Sequence, residues 1–416
     1  MAARSPSALE TDVAGTASER GPAGPVLVPR MAGFGTTIFA EMSELATRTG
    51  AINLGQGFPD VDGHPAVIEA AVRAMRSGHN QYPPGPGIPE LRHAIAAHQL
   101  RHYDIHVDPD TEVLVTTGAT EAIAASVMAL CEAGDEVVTF EPYFDSYAAV
   151  IALAGARRRV VTLRAPDFAV DVDAVAAAIT PRTKVLLVNS PHNPTGVVFS
   201  DDELSALAEL CILHDLIAIS DEVYEHLTYD GIRHRPLCTF PGMAERTLTI
   251  SSAGKTFSFT GWKVGWVTGP AHLVAATRTV KQFLTYVSGG PFQHAVAEAL
   301  SMPDSVIGDL RTSLESKRDR LTDGLVAAGF ETYRPSGTYF VTVDVRSVGW
   351  DDGVEFCRML PGAVGVVAIP NTVFHDSDAG RSQVRFAFCK RDDVLDDAVE
   401  RLGRLDRGPV TNGGAA

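Results

Sequence analysis

The chain has 416 residues, 45% of them hydrophobic, and a formal net charge of −16 at pH 7. That length exceeds the roughly 250–300 residues that one core supports, so a large domain with a smaller one beside it is expected. The acidic balance argues against a nucleic-acid partner and against anionic membranes, yet a few local cations could still hold a small anion.

The five cysteines, Cys131, Cys211, Cys238, Cys357 and Cys389, are scattered and form no CxxC pair. Neither a disulfide framework nor a metal centre is expected, and a reducing cytoplasm suits them. No stretch approaches the ~20 apolar residues of a membrane helix. Residues 1–29 lack an apolar core flanked by basic residues, so they read as a disordered extension, not a secretory signal. Residues 407–416 read the same way.

Between these ends, helical and strand patterns alternate. Apolar residues at Val67, Ile68, Ala71, Val72 and Met75 predict a helix over Pro65–Met75. Tyr82-Pro83-Pro84-Gly85-Pro86-Gly87 can be neither helix nor central strand and fixes a stiff loop. A second helix follows over Pro89–Tyr103. Strands are predicted at Glu112–Thr117, Glu136–Phe140, Arg159–Leu163, Lys184–Val188, Leu216–Ser220 and Thr247–Ser251. Helices separate them at Glu121–Leu130, Tyr147–Ala154, Val172–Ile179 and Asp202–His214, the last capped by Ser200 or Asp201. This alternation predicts an α/β fold with a mainly parallel sheet covered on both faces, spanning residues 61–302. From about Pro303 the texture changes. A long charged helix over Ser305–Ala328 precedes strands around Tyr339–Val345 and Val384–Phe388, giving a smaller α+β domain over 303–406. Residues 30–60 are expected to pack on it.

In an open α/β sheet, ligands gather at the carboxyl ends of the strands. Gly118-Ala119-Thr120 follows one strand and opens a helix, so it is either a plain tight turn or a phosphate-binding N-terminus. Glu141-Pro142-Tyr143-Phe144-Asp145 follows another, with an aromatic that either joins the core or stacks on a flat ring. Asn193 lies in Asn189-Ser190-Pro191-His192-Asn193-Pro194-Thr195-Gly196, where two X-Pro steps, either of which could be cis, hold it as a directional amide. Asp221 at a strand end either caps a helix or keeps a heterocyclic nitrogen protonated. Tyr224, three residues on, could meet a phenolic oxygen. Ser251 to Trp266 contains Lys255 and Lys263 among Gly, Ser, Thr and aromatics. A lysine that forms a Schiff base must be partly unprotonated, and Ser251, Ser252 and Lys263 could meet an anion. Phosphate donors, a stacking aromatic, an amide, a carboxylate–tyrosine pair and a lysine together match every feature of pyridoxal 5′-phosphate (PLP).

The chain resembles the class I/II aminotransferases, which are fold-type I PLP enzymes. Five stretches carry the resemblance: Asn53 to Asp60, Asn80-Gln81-Tyr82, Asn193-Pro194-Thr195-Gly196, Asp221-Glu222-Val223-Tyr224, and Ser251 to Trp266. It spans about Met31 to Leu405 and implies a seven-stranded type of main sheet. By position, Lys255 matches the Schiff-base lysine that moves the substrate's α-proton, and Asp221 the partner of the pyridine nitrogen. Tyr224 and Asn193 match the groups on the phenolic oxygen. Gly118, Ala119, Thr120, Ser252 and Lys263 match the phosphate cradle, with Tyr82 contributed by the neighbouring subunit of a homodimer. Phe144 matches the stacking ring, Arg385 the clamp on the substrate α-carboxylate, and Gly57 a backbone contact to that carboxylate. Lysine at 263 departs from the arginine of many relatives. It points to the kynurenine, glutamine and methionine branch, within which the chain is most similar to the actinobacterial N-succinyldiaminopimelate aminotransferases. Side-chain specificity is then expected from Phe34 to Ile38 and from Tyr286 and Val287 of the partner.

The expected reaction moves an amino group from an L-amino acid, N-succinyl-LL-2,6-diaminopimelate by best match, to a 2-oxo acid, 2-oxoglutarate by best match. Cysteine-conjugate β-elimination would use the same site and give a keto acid without an acceptor. A non-enzymatic PLP-binding sensor is the third reading, but no basic DNA-binding domain is appended.

Overall fold

The structure is a computed structural model, and it describes residues 27–34 and 38–406. The two predicted disordered ends, apart from Leu27–Pro29, lie outside the described residues, as do Gly35, Thr36 and Thr37 of the predicted specificity segment. Among the described residues no helix is long and apolar enough to cross a membrane.

Among the described residues, thirteen strands form three sheets. Strand β1 (Ile52–Asn53) precedes the strands of the main sheet, which are β2 (Val113–Thr117), β3 (Glu136–Glu141), β4 (Arg157–Thr162), β5 (Thr183–Asn189), β6 (Ile217–Asp221), β7 (Thr247–Ser252) and β8 (Val264–Thr268). The remaining strands are β9 (Glu331–Tyr333), β10 (Phe340–Asp344), β11 (Val366–Val367), β12 (Ile369–Pro370) and β13 (Gln383–Ala387). The main sheet has the order β2-β8-β7-β6-β5-β3-β4. All its pairings are parallel except those of β8, which runs antiparallel to both neighbours. The seven-stranded, mainly parallel α/β architecture is thus the one expected. Strand β8 is the addition: Val264-Gly265-Trp266-Val267-Thr268 hides inside the stretch singled out for its lysines.

Period-2 alternation explains why the sheet is covered twice. In β5, Val185 and Leu187 enter one apolar cluster while Leu186 and Val188 enter the other. In β6, Ile219 and Ala218 divide the same way. A strand buried on both faces needs an unbroken apolar run, which is what Val185 to Val188 supply. The covering helices begin with local signals. Ser200 caps Asp201–Leu213 by accepting from the Glu203 amide, and Glu203 reaches back to the Ser200 amide at 2.8 Å, a reciprocal capping box.

Two helices, Ala271–Lys281 and Gly290–Leu300, lie between β8 and the long helix Asp304–Ala327, and the sequence reading left them undivided. The smaller sheet, order β12-β13-β10-β9, is antiparallel throughout. The N-terminal segment is tied to this half: Ile52 and Asn53 of β1 pair in parallel with Val366 and Val367 of β11. Five free cysteines are found, four of them buried.

Candidate active site

The main sheet delivers its strand ends to one place. Asn189 ends β5, Asp221 ends β6 in register with it, and Ser252 ends β7. Lys255 follows three residues later in the single turn Ala253–Thr256. A cavity of about 550 Å³ opens at these ends. Twelve of the predicted site residues line it: Gly57, Gly118, Ala119, Thr120, Phe144, Asn193, Asp221, Tyr224, Ser252, Lys255, Lys263 and Arg385. They come from segments more than 300 residues apart in sequence, so only the fold assembles them.

At one end of the cavity, helix Gly118–Leu130 starts directly at the end of β2, three residues earlier than predicted. Its first amides therefore point out of the sheet with the positive end of the helix dipole. Gly118 adopts φ +70°, a left-handed conformation that glycine takes without strain. Gly265 allows β8 to pass close by: a Cβ there would stand 2.5 Å from the Gly118 carbonyl carbon. Lys263 Nζ lies 3.4 Å from the Thr120 hydroxyl. Amide donors, a hydroxyl and a cation thus converge where an anion fits. Ser251 does not join them. Its hydroxyl points away and donates to the buried Glu225, so Ser252 is the serine left to face the cavity.

In the same cavity, Arg385 of β13 is buried beneath the aromatic rings of Phe340 and Phe374, 3.9 and 4.8 Å from its guanidinium carbon. Its Nη1 donates to Asn193 Oδ1 at 2.9 Å and its Nη2 to the Gly55 carbonyl at 3.1 Å. These bonds fix the plane of the fork. Nε is buried without a partner, so the guanidinium still has donors to spend. Asn193 is itself held through its amide, which donates to Asn189 Oδ1 at 2.8 Å. The Ser190–Pro191 and Asn193–Pro194 bonds are both cis.

The family profile of the class I and II aminotransferases matches residues 49–402. The chain belongs to the class I and II aminotransferases. It is 55% identical over 396 residues to a probable N-succinyldiaminopimelate aminotransferase of Mycobacterium tuberculosis, covering 92% of this chain and all of that protein. It is 40% identical to the methionine aminotransferase of Escherichia coli, over 89% of this chain and 96% of that one. Among solved structures, that of N-succinyldiaminopimelate aminotransferase from M. tuberculosis superposes with a TM-score of 0.89 at 56% identity, covering 91% of this chain and 99% of that one. The fold is accordingly the fold-type I arrangement of this class, and the protein is an enzyme that transfers amino groups. As a family, these aminotransferases depend on PLP.

In this aminotransferase two tyrosines, both unassigned from the sequence, contact Asp221 and Lys255. Tyr147 donates to Asp221 Oδ2 at 2.5 Å, and the Val223 amide approaches Oδ1 at 3.4 Å. Tyr339 accepts from Lys255 Nζ at 2.5 Å and donates to the Gly57 carbonyl at 2.5 Å. Its ring meets that of Tyr224 edge to face, with centroids 5.2 Å apart.

Burial sets the charges. It raises the Asp221 carboxyl to about 6, against the bonds from Tyr147 and Val223 and the Lys255 cation, which favour the ionised form. It lowers the Lys255 amine to about 8. Near neutral pH a useful fraction of that amine is unprotonated, as a nucleophile or base must be.

Phe144 lines the cavity at the start of helix Asp145–Leu153. Tyr82 and Tyr286 do not reach it within one chain. Tyr82 is 82% exposed, and its ring meets that of Tyr286 at 5.7 Å.

Tyr339→Phe keeps the ring and removes the hydroxyl that Lys255 and Gly57 share. Turnover is expected to fall roughly tenfold, the scale of one charge-assisted hydrogen bond. Because the protonated amine then loses an acceptor, it gives up its proton more easily, and the rate–pH profile should shift towards acid as the turnover falls. A profile and kcat equal to those of the parent would remove Tyr339 from the site's working parts.

Proposed function

We propose that this chain is a PLP-dependent aminotransferase that takes the amino group of N-succinyl-LL-2,6-diaminopimelate and passes it to 2-oxoglutarate. The family supports the reaction class, and the 55% identity to a probable N-succinyldiaminopimelate aminotransferase along nearly the whole chain carries the donor. The cavity fits PLP on its own terms. An anion cradle at Gly118, Ala119, Thr120, Ser252 and Lys263 lines the same cavity as a buried arginine, a carboxylate and a lysine. When bound there, PLP supplies an electron sink conjugated with the substrate's α-carbon.

The chain's own residues do the rest. Asp221, ionised and oriented by Tyr147, holds the cofactor's ring nitrogen protonated. Tyr224 and Asn193 serve the phenolic oxygen, and Phe144 stacks on the ring. Arg385 grips the substrate α-carboxylate with its free donors, with the Gly57 backbone beside it. Lys255 Nζ then takes the α-proton, held in place by Tyr339. Donor and acceptor use one cavity in turn, so the kinetics are ping-pong.

Tyr82, Tyr286 and Val287 are assigned to the neighbouring active site of a homodimer. The exposure of Tyr82, of Tyr286 and of Phe283 (83%) beside them supports this reading. Five free cysteines suit a cytoplasmic setting.

Arg385→Lys keeps the charge but loses the fork. The KM for the amino donor is expected to rise by roughly 30-fold or more, while kcat falls less. An unchanged KM would show that another group binds the carboxylate.

The donor is tested by single half-reactions, following the cofactor's visible absorption with N-succinyl-LL-2,6-diaminopimelate, kynurenine, glutamine, methionine and aspartate. The first should react with the largest second-order rate constant. A larger constant for methionine or kynurenine would move the enzyme to that activity.

A further inference from the structure

Where the segment that follows Asp221 meets helix Pro89–Tyr103, three histidines come together. His98 and His102 lie four residues apart on helix Pro89–Tyr103, so they share one face of it. His226 comes from the segment after β6. The three ring centroids form a near-equilateral triangle, with sides of 4.5, 4.8 and 4.9 Å. Each ring offers a nitrogen such that all three lie within 4.8 Å of one another. His98 Nε2 and His226 Nε2 stand 2.7 Å apart. A cavity of about 320 Å³ adjoins the cluster.

We propose that His98, His102 and His226 form a binding site for a divalent transition metal ion of the zinc type, fastening helix Pro89–Tyr103 to the segment that carries Asp221 and Tyr224. Three imidazoles on two elements match the ligand type and number that zinc takes from protein. In a tetrahedral site with Zn–N near 2.1 Å the ligand nitrogens stand roughly 3.4 Å apart. The present spacings bracket that value, so one pair opens and another closes by about an ångström. An ion held by Nε2 of His98 and Nε2 of His226 takes the place of the bond these two buried atoms share, and it leaves the ring proton of His98 on Nδ1. Asp304, whose Oδ1 is 3.7 Å from His102 Nε2, or a water from the cavity, completes the coordination.

One group opposes the ion. Arg101 places Nε and Nη2 each 3.3 Å from His102 Nε2, and its Nε also lies 3.2 Å from Asp304. Metal entry displaces it from His102, while Nη2 retains the Leu300 carbonyl at 2.9 Å. This gives the proposal a change of opposite sign to test. The other carboxylates nearby are engaged: Glu222 with His234 at 2.8 Å, and Glu225 with Ser251.

The test uses tag-free holoenzyme, stripped with a chelator and titrated with zinc by calorimetry and by a competing chromophoric chelator. One zinc per chain is expected to bind. His102→Gln, a half-buried position, should weaken binding more than about tenfold, and so should His98→Gln. Arg101→Gln should tighten it, because a neighbouring cation is gone. The cofactor's absorption spectrum reports that each variant is folded, and His102→Gln decides the matter if the more buried His98→Gln is not. Absence of saturable zinc binding, or binding that His102→Gln leaves unchanged, would overturn the proposal and leave the cluster a polar part of the core.

Discussion

Lys255→Ala is expected to lose transamination by roughly four powers of ten or more, because one amine is asked both to hold the cofactor and to move a proton. Two lysines line the cavity, and the geometry separates their tasks. Lys263 is exposed and stands by Gly118 and Thr120, where the anion cradle is. Lys255 stands by Tyr339 and Tyr224, 5.0 and 5.6 Å from the ring centroids. The Lys255 amine is lowered to about 8, first by burial and then by the Arg385 and Lys263 cations, against the pull of Cys389 and Asp221. In the parent, the half-reaction should therefore speed up as pH rises through about 8, where the amine loses its proton. Small primary amines added to Lys255→Ala should restore part of the rate, since the variant leaves a space of amine shape. Lys263→Ala should instead weaken cofactor binding and keep most of kcat in saturating PLP. If Lys255→Ala retained turnover within tenfold of the parent, the catalytic base would have to be sought elsewhere.

Asp221→Asn is the second large effect, and it has two opposite faces. Turnover should drop by several powers of ten, because a neutral amide cannot hold the ring nitrogen protonated and the electron sink weakens. The cofactor-free protein should become more stable at neutral pH. The sign follows from linkage. Asp221 is raised in the folded chain to about 6 from an ordinary 3.8, so between those values the folded state binds the extra proton. Stability is therefore lost as pH rises through that window, and at pH 7 the buried carboxylate costs up to about 3 kcal/mol. Asparagine removes the charge while its carbonyl still accepts from Tyr147. Thermal melts of the apoenzyme at pH 7 should show a higher Tm for Asp221→Asn than for the parent, with the difference shrinking towards pH 4. A lower Tm at pH 7 would mean that Asp221 stabilises the fold in its ionised form.

Much of this site was legible in the sequence because its parts sit at strand ends. A strand such as Val185 to Val188 is readable by its apolar run, and the polar residue that ends it stands out. Asn193, Asp221 and Lys255 were found this way. Arg385 was not: it lies inside β13 and was placed only through the family resemblance. Tyr147 and Tyr339 were visible only as members of a helix and a strand. Their hydroxyls meet partners 74 and 84 residues away, and no local pattern encodes such contacts. Strand β8 was missed for a related reason: Gly265 and the residues around it looked like loop chemistry, when the glycine serves the close approach of β8 to Gly118. Serine 251 erred in the other direction. Its neighbour faces the cavity, and period-2 alternation in β7 turns Ser251 to the opposite side, where Glu225 takes its hydroxyl.

The most direct measurement reduces PLP-loaded enzyme with borohydride, digests it and locates the phosphopyridoxyl mass. One modified peptide is predicted, with the group on Lys255. Label on Lys263, or no label on a protein that binds PLP, would contradict the account.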